Sequence, residues 1–322
     1  MKRLLSLTGA WLLLACATLV HAQAWPTKPV RWIVPFPPGS ASDITARVLS
    51  ERLSALWGQG VAVENKPGAG GTIATAEMVK STPDGYTLMS GTMGTHAIAP
   101  NLYKNLTYDP VKDIVPVTMM VDVPLVLVAS LKAPGATLKE FLAAVKDSPG
   151  KFAYASPGNG TLNHLMGELF KQATKADIAH IPYKGSAFVY PDMFSGAVAL
   201  MFDPILGATT QLKQGRLKAY AIAAPKRSAA LPDVPTMAEL GYPGFDATLW
   251  LGFFAPAGTP AAVVTKMSAD LGATLKQPEV RAKLESLGGE IVAMPHEAFA
   301  PRYRSDYARW GKAIRDVGNK LD

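Results

Sequence analysis

Short apolar runs rich in β-branched residues alternate along this chain with segments of helical periodicity. The first run, residues 30–35, is followed by residues 42–56, in which Ile44, Val48 and Leu49 recur at helical spacing. The other predicted elements are strands at 61–64, 86–90, 115–120, 125–129, 152–155, 178–181, 198–202, 217–223 and 250–255 and helices at 72–80 and 161–175. This alternation is typical of βαβ units, and it predicts an α/β fold with a largely parallel sheet flanked by helices.

The length of 322 residues is enough for two domains that each bury a core. The apolar runs at 115–120 and 125–129 are separated by Asp122-Val-Pro124, and residues 225–243 are proline-rich without periodicity. Both segments are read as places where the chain crosses between domains. The predicted units are a signal segment at 1–24, lobe 1 at 25–124 together with 246–322, and lobe 2 at 125–245.

The first residues have the pattern of an export signal. Lys2 and Arg3 precede an apolar stretch at 4–20, and Ala22-Gln-Ala24 offers small residues for cleavage before Trp25. A membrane anchor is the alternative, but a bilayer span needs about 20 apolar residues, and this run is shorter. We expect the mature protein to be periplasmic, with the signal cleaved near Ala22–Ala24.

Cysteine and charge limit the remaining classes of site and partner. Cys16, the one cysteine, lies in the signal segment, so no disulfide or cysteine metal site is expected in the mature chain. Leu13-Leu-Ala-Cys16 resembles a lipoprotein cleavage box, but Leu14 is atypical there and the apolar run continues. Loss of Lys2 and Arg3 lowers the net charge from +7 to +5, which favours an anionic partner. Because the basic residues are scattered, nucleic acid is not expected.

The sequence contains no complete motif for a cofactor, a metal or a catalytic residue. Gly68-Ala-Gly-Gly71 follows a strand, but the third glycine of a dinucleotide fingerprint would fall at Ile73, and no acidic residue follows the next strand at Ser90. There is no Walker sequence and no Gly-x-Ser-x-Gly elbow. The histidines have no metal-ligand spacing. We therefore predict no cofactor, no metal and no catalytic residue.

The sequence features that indicate a binding site are three polar loops, each between a strand-like run and a helix-like one: residues 36–43, 90–96 and 155–164. Glycines let a ligand approach the backbone, hydroxyls add neutral donors, and the first amides of a helix have no internal partner. The loops contain no lysine or arginine. They predict a pocket that binds an anion reversibly through amides and hydroxyls.

Several residues near these loops allow two interpretations. His96 and His164 begin helices and suit either a ligand donor or a cap. Asp43 follows Ser40 by three residues, which favours a role at the helix start over contact with a ligand. Asp203 ends an apolar run before a proline, at the sheet edge where α/β proteins bind ligands, so a functional role is favoured.

Motifs along the mature chain resemble one family from end to end. They are Trp25-Pro-Thr-Lys-Pro-Val30, Val34-Pro-Phe-Pro-Pro-Gly39, Asn65-Lys-Pro-Gly-Ala-Gly-Gly71, Pro83-Asp-Gly-Tyr-Thr87 and Leu231-Pro-Asp-Val-Pro235. The chain resembles the receptors of tripartite tricarboxylate transporters, the Bug or TctC-like extracytoplasmic solute-binding proteins. The resemblance implies a clamshell of two α/β lobes, periplasmic-binding-protein-like and of type II, that closes on a small organic acid and delivers it to membrane transporter subunits.

The resemblance also implies ligand contacts. Those from the first lobe are Phe36, Gly39, Ser40, Ser90, Thr92 and Thr95, and those from the second are Ser156, Gly160, Thr161, His164 and Asp203. Asp43 and His96 complete the candidate binding residues. Many relatives have paired glycines where this chain has Gly39-Ser40, and the added hydroxyl alters the site where the acid would bind.

The expected ligand is a dicarboxylate or an aromatic carboxylate, and a monomer is expected. Two other functions stay open at this point. One is an exported hydrolase or lyase that uses His96 or His164 as a base, although no activated nucleophile accompanies either. The other is a partner that presents the same acids to a membrane sensor. Substrate consumption would reveal the first, and uptake measured against transcriptional response would separate transport from the second.

Overall fold

The computed structural model describes residues 25–103, 105–245 and 247–317. The predicted signal segment, its cleavage site near 22–24 and Cys16 lie outside these ranges. No helix within them is long and apolar enough to cross a membrane.

Ten strands of the described residues form one sheet. They are β1 (Val30–Val34), β2 (Val61–Asn65), β3 (Thr87–Thr92), β4 (Ile114–Ser130), β5 (Phe152–Ser156), β6 (Ile178–Pro182), β7 (Leu200–Pro204), β8 (Leu217–Ala223), β9 (Thr248–Pro256) and β10 (Glu290–Pro295). The order is β2-β1-β3-β9-β4-β7-β5-β6, and β8 and β10 also pair with β4.

The pairing confirms the α/β class but makes the sheet mixed rather than mostly parallel. Strand β1 is parallel to β2 and β3, and β5 is parallel to β6 and β7, as βαβ units require. Strand β9 pairs antiparallel with β3 and β4, and β4 pairs antiparallel with β7, β8 and β10. Antiparallel neighbours need no crossover helix between them. The alternation of strands and helices in the sequence therefore indicates the parallel pairs but not the antiparallel ones.

The two apolar runs predicted as separate strands are one 17-residue strand, β4. Residues up to Pro124 pair with β9, and residues from Leu125 pair with β7 and β8. Proline has no amide to donate, but the Leu125 amide bonds to Ala247 O at 3.2 Å and the pairing continues. The strand therefore passes from one half of the sheet to the other, while the predicted lobe boundaries stay a prediction.

Helices cover the faces and ends of the sheet. They are α1 (Ala41–Trp57), α2 (Thr72–Val79), α3 (Ala99–Leu102), α4 (Leu138–Asp147), α5 (Leu162–Thr174), α6 (Ser186–Ser195), α7 (Ile205–Lys213), α8 (Ala261–Leu275), α9 (Pro278–Glu285) and α10 (His296–Val317). A wider helical turn, Gly94–Ile98, precedes α3. In α1, Leu49 and Leu53 are fully buried, as expected for an amphipathic helix on a sheet.

Aromatic residues anchor the core behind the loops of the first strands. Trp32 and Trp250 are completely buried, and burying each large apolar side chain stabilises the fold by about 1.5–3 kcal/mol. Both indoles satisfy their N–H group: Trp32 Nε1 donates to Ser90 Oγ at 2.8 Å, and Trp250 Nε1 donates to Asp306 Oδ2 at 3.0 Å. The Trp32 contact fixes the end of β3, where the second polar loop begins.

Candidate functional site

All three polar loops meet at one cavity with about 410 Å³ of empty space, part of it open to solvent. The residues that line it are Phe36, Ser40, Ala41, Ser42, Thr92, Gly94, Pro157, Thr161, Leu162, Asn163, Ser186, Pro204 and Leu249. Of the predicted site residues, Phe36, Ser40, Thr92 and Thr161 belong to this lining. None of the lining side chains is charged.

Helix amino ends converge on this cavity. Ala41 and Ser42 begin α1, Leu162 and Asn163 begin α5, and Ser186 begins α6. Within the described ranges, none of these five amides has a hydrogen-bond partner. The amino end of a helix carries partial positive charge, and its first N–H groups point outward. The arrangement therefore suits an anion that accepts several backbone hydrogen bonds at once.

Asp43 shapes the first loop from behind the cavity. Its carboxylate accepts hydrogen bonds from the Gly39 amide at 2.9 Å, from Asn65 Nδ2 at 2.9 Å and from Arg47 Nε at 3.0 Å. Ser40 caps α1 by accepting the Asp43 amide at 3.3 Å. With these partners Asp43 organises the helix start, the role that the sequence favoured, and it does not line the cavity.

A reciprocal threonine pair forms the second loop. The Thr92 amide donates to Thr95 Oγ1 at 2.8 Å, and the Thr95 amide donates to Thr92 Oγ1 at 3.1 Å. Thr92 lines the cavity, whereas Thr95 and Ser90 are buried behind it. The pair thus holds Thr92 in place at the end of β3.

His96 is enclosed in the aromatic core and does not line the cavity. Its ring stacks on Phe254 with centroids 4.1 Å apart, and Nδ1 shares a hydrogen bond of 2.7 Å with Thr95 Oγ1. Among the described residues Nε2 has no partner. Burial lowers the pKa of His96 to about 3, so the ring stays neutral and does not take a proton from a molecule in the cavity.

Replacing His96 with phenylalanine should change how stability responds to acid. The unfolded chain gains a proton on His96 below about pH 6.5, whereas the folded chain excludes it down to a pKa of about 3. The wild type should therefore lose about 2 kcal/mol relative to His96→Phe between about pH 7 and pH 5. Denaturant unfolding of both proteins at each pH measures this difference. Every other titratable group is present in both proteins, so its contribution cancels. A difference that does not vary with pH would contradict the assignment.

The third loop is held by its own hydroxyls. Ser156 is fully buried; its Oγ accepts the Gly158 amide at 3.3 Å and lies 2.8 Å from His180 Nε2. Thr161 caps α5 by accepting the His164 amide at 3.3 Å, and its hydroxyl donates to Gly158 O at 2.7 Å. Thr161 thereby reaches the cavity while Ser156 supports it from behind.

A stack of three rings supports the third loop. His164 stacks on His180 at 4.3 Å, and His180 stacks on Tyr154 at 4.7 Å. The Gly160 amide donates to His164 Nδ1 at 3.4 Å. Burial lowers the pKa of His180 to about 4 and also lowers that of His164, so both rings are neutral near pH 7. The sequence missed His180, which parallel pairing of β5 and β6 places opposite Tyr154.

Asp203 lies at the end of β7 and is completely buried. Its oxygens accept hydrogen bonds from Ser186 Oγ at 2.6 Å and from Tyr190 Oη at 2.7 Å. Burial raises the pKa of Asp203 to about 6, although both hydrogen bonds oppose the shift. Ser186 lines the cavity and Asp203 does not, so the carboxylate acts through the orientation of the Ser186 hydroxyl.

The sequence missed three polar lining residues: Ser42, Asn163 and Ser186. Each lies within the first two positions of a helix, so a search of the residues directly after the predicted caps would have found Ser42 and Asn163. Across the described residues, no group of three or more His, Asp or Glu side chains could hold a metal ion. What converges at this cavity is a set of neutral donors, which can bind an anion and release it.

Comparison with known proteins identifies the family. Residues 45–319 match the tripartite tricarboxylate transporter family receptor. Protein BugT of Bordetella pertussis is 37% identical over 323 residues, covering 100% of this chain and 99% of its own. The solved structure of the periplasmic binding protein BugD is 36% identical with a TM-score of 0.88, covering 92% of this chain and 100% of its own. R. palustris Rpa4515, solved with adipate, is 32% identical with a TM-score of 0.88 and the same two coverages.

These likenesses extend over nearly the whole chain and confirm the predicted periplasmic-binding-protein-like α/β fold, in keeping with a two-lobed clamshell. They also confirm the resemblance found in the motifs from Trp25 to Pro235. The chain therefore belongs to the receptor family of the tripartite tricarboxylate transporters.

Proposed function

We propose that this chain is a periplasmic receptor that binds a small organic carboxylate between two lobes and delivers it to the subunits of a tripartite tricarboxylate-type membrane transporter. The observation that carries the proposal is the convergence of unpaired amides from α1, α5 and α6 on a cavity without charged side chains. A carboxylate offers several acceptor lone pairs in one plane, and helix amino ends stabilise its charge. The adipate bound by Rpa4515 is an acid of this class.

Within the cavity, we assign the ligand carboxylate to the amides of Ala41, Ser42 and Asn163 and to the hydroxyl of Thr92, whose proton no described residue accepts. Phe36 and Leu249 supply apolar surface for the carbon chain. The remaining candidates act through these groups. They are Gly39, Ser40, Asp43, Ser90, Thr95, His96, Ser156, Gly160, Thr161, His164 and Asp203, whose hydrogen bonds hold the three loops in place.

We further propose that the lobes are residues 25–124 with 246–322, and residues 125–245, joined at β4 and β9. The change of pairing partners along β4 at Pro124 and Leu125 supports this division. A ligand held between two lobes shifts the open and closed forms by its greater affinity for the closed one. Closure would then present the loaded receptor to the transporter.

A catalytic role is less well supported than binding. The histidines considered as bases, His96 and His164, lie outside the cavity lining. Ser156 lies close to His180, but it is fully buried and its hydroxyl is already bonded within the loop. A reactive serine must be accessible to its substrate.

Calorimetric titration of the mature protein with adipate and a panel of other carboxylates tests the proposal, combined with NMR analysis of the acid recovered afterwards. We expect one molecule bound per chain and chemically unchanged acid. The protein should first be unfolded and refolded, so that retained ligand is removed. Absence of binding to any carboxylate, or steady conversion of the acid, would overturn the proposed function.

A further inference from the structure

A second cavity, with about 480 Å³ of empty space, part of it open to solvent, lies beside the first. Phe36 and Pro157 line both cavities, so one residue from the first loop and one from the third form their shared wall. The rest of its lining includes the glycine-rich segment 68–71, Asn159 of the third loop, and Lys184 in the turn after β6. The two cavities are therefore neighbours in the same cleft.

Lys184 distinguishes the second cavity from the first. Of the described residues that line the two cavities, it is the one with a charged side chain. Its side chain is exposed and forms no ion pair or hydrogen bond with the described residues. The side-chain amide of Asn159 likewise has no partner there. An ammonium group and an amide are thus both available to a ligand on the far side of Phe36 and Pro157.

We propose that the second cavity is the subsite for a second anionic group of the ligand, and that Lys184 makes the receptor prefer diacids to monoacids. The inference rests on the proposed function, because it takes the first carboxylate to be held at the helix amino ends. The carbon chain between the two groups passes the apolar wall of Phe36 and Pro157. The ligand class is a diacid with a spacer long enough to reach from one cavity into the other.

The two ends of the proposed site differ in charge. The first carboxylate is stabilised by backbone dipoles, which a monoacid uses as well as a diacid does. The second end has a full positive charge, and a charged hydrogen bond contributes only when the ligand carries a second anion. Lys184 therefore determines specificity, whereas the helix amino ends supply affinity that all carboxylates share.

The test is a calorimetric comparison of diacids of rising chain length, each paired with the monoacid of equal length, such as adipate with hexanoate. The variants are Lys184→Met and, as a control, Lys139→Met, which removes an exposed lysine of α4 that lines neither cavity. Lys184→Met should weaken the best-binding diacid about tenfold and change its paired monoacid by less than about twofold. Lys139→Met should change neither, and the diacid too short to reach Lys184 should be insensitive to both.

Three outcomes would overturn the inference. The first is equal weakening of the diacid and the monoacid by Lys184→Met, which would mean a general effect on the cleft. The second is unchanged diacid affinity in Lys184→Met while the wild type binds the diacid, which would remove this inference and leave the proposed function intact. The third is a wild type that binds no carboxylate, which would remove the proposed function and this inference with it.

Discussion

Replacing Gly185 with alanine should weaken carboxylate binding about a hundredfold, because the added methyl group prevents the two lobes from closing. Gly185 precedes α6, and a Cβ built on it would lie 2.2 Å from Pro37 Cδ in the first loop. Its φ of +135° is also a conformation that side chains rarely adopt. In the proposed division, Gly185 and Pro37 belong to different lobes, so the clash exists only when the lobes are together.

Calorimetry measures the affinity of Gly185→Ala, and small-angle scattering measures whether ligand still compacts the protein. Gly215→Ala is the control for the clash, since Gly215 also has a positive φ, +64°, but no heavy atom lies within 4 Å of an added Cβ. The control has a positive φ without the clash and should bind like the wild type. Because the conformation of Gly185, with φ +135° and ψ 154°, strains an alanine more than the left-handed φ of Gly215 does, denaturant unfolding of both variants separates a loss of stability from a loss of closure. Wild-type affinity in Gly185→Ala would show that binding does not require the approach of these two loops.

Replacing Ala41 with proline should weaken carboxylate binding about 10- to 100-fold while the fold is retained, because it removes a single amide donor. Ala41 is the first residue of α1, a position where proline is tolerated. The preceding residue, Ser40, has φ −70° and ψ 160°, which suits a residue before proline. The substitution therefore tests one backbone hydrogen bond without removing a side chain from the cavity.

Ala261→Pro is the control for this variant. Ala261 is exposed and begins α8 after an extended residue, so the change is the same in kind, but it lies outside the cavity lining. Both variants should unfold within about 1 kcal/mol of the wild type. If Ala41→Pro binds as tightly as Ala261→Pro, the amino end of α1 does not hold the carboxylate, and the site assignment is wrong.

The sequence predicted that the three loops meet because the features responsible, helix caps and strand ends, depend on residues close together in the chain. A polar segment between a strand and a helix leaves amides unpaired wherever the helix begins, and the caps Ser40 and Thr161 are visible in the sequence. Parallel neighbours such as β1 with β3 end at the same edge of the sheet, so loops that follow them come together.

The parts that the sequence did not predict depend on contacts distant along the chain. Strand β4 appeared as two runs because Pro124 interrupts the pattern, yet pairing with β7 to β9 keeps it continuous. His180 supports the third loop from a strand 24 residues after Ser156. His96 belongs to a polar loop in the sequence, but in the structure its ring is buried against the aromatic cluster around Phe254. No periodicity or spacing carries information about these long-range neighbours.

A crystal structure of the mature protein with the tightest-binding acid from the calorimetric panel would show directly whether helix amino ends hold the carboxylate. We expect one carboxylate of the acid to lie within about 2.7–3.2 Å of the amides of Ala41 or Ser42 and of Asn163, with the carbon chain against Phe36. An acid bound outside the cleft, or bound in it by charged side chains while these amides stay unpaired, would show that the helix amino ends do not bind the carboxylate.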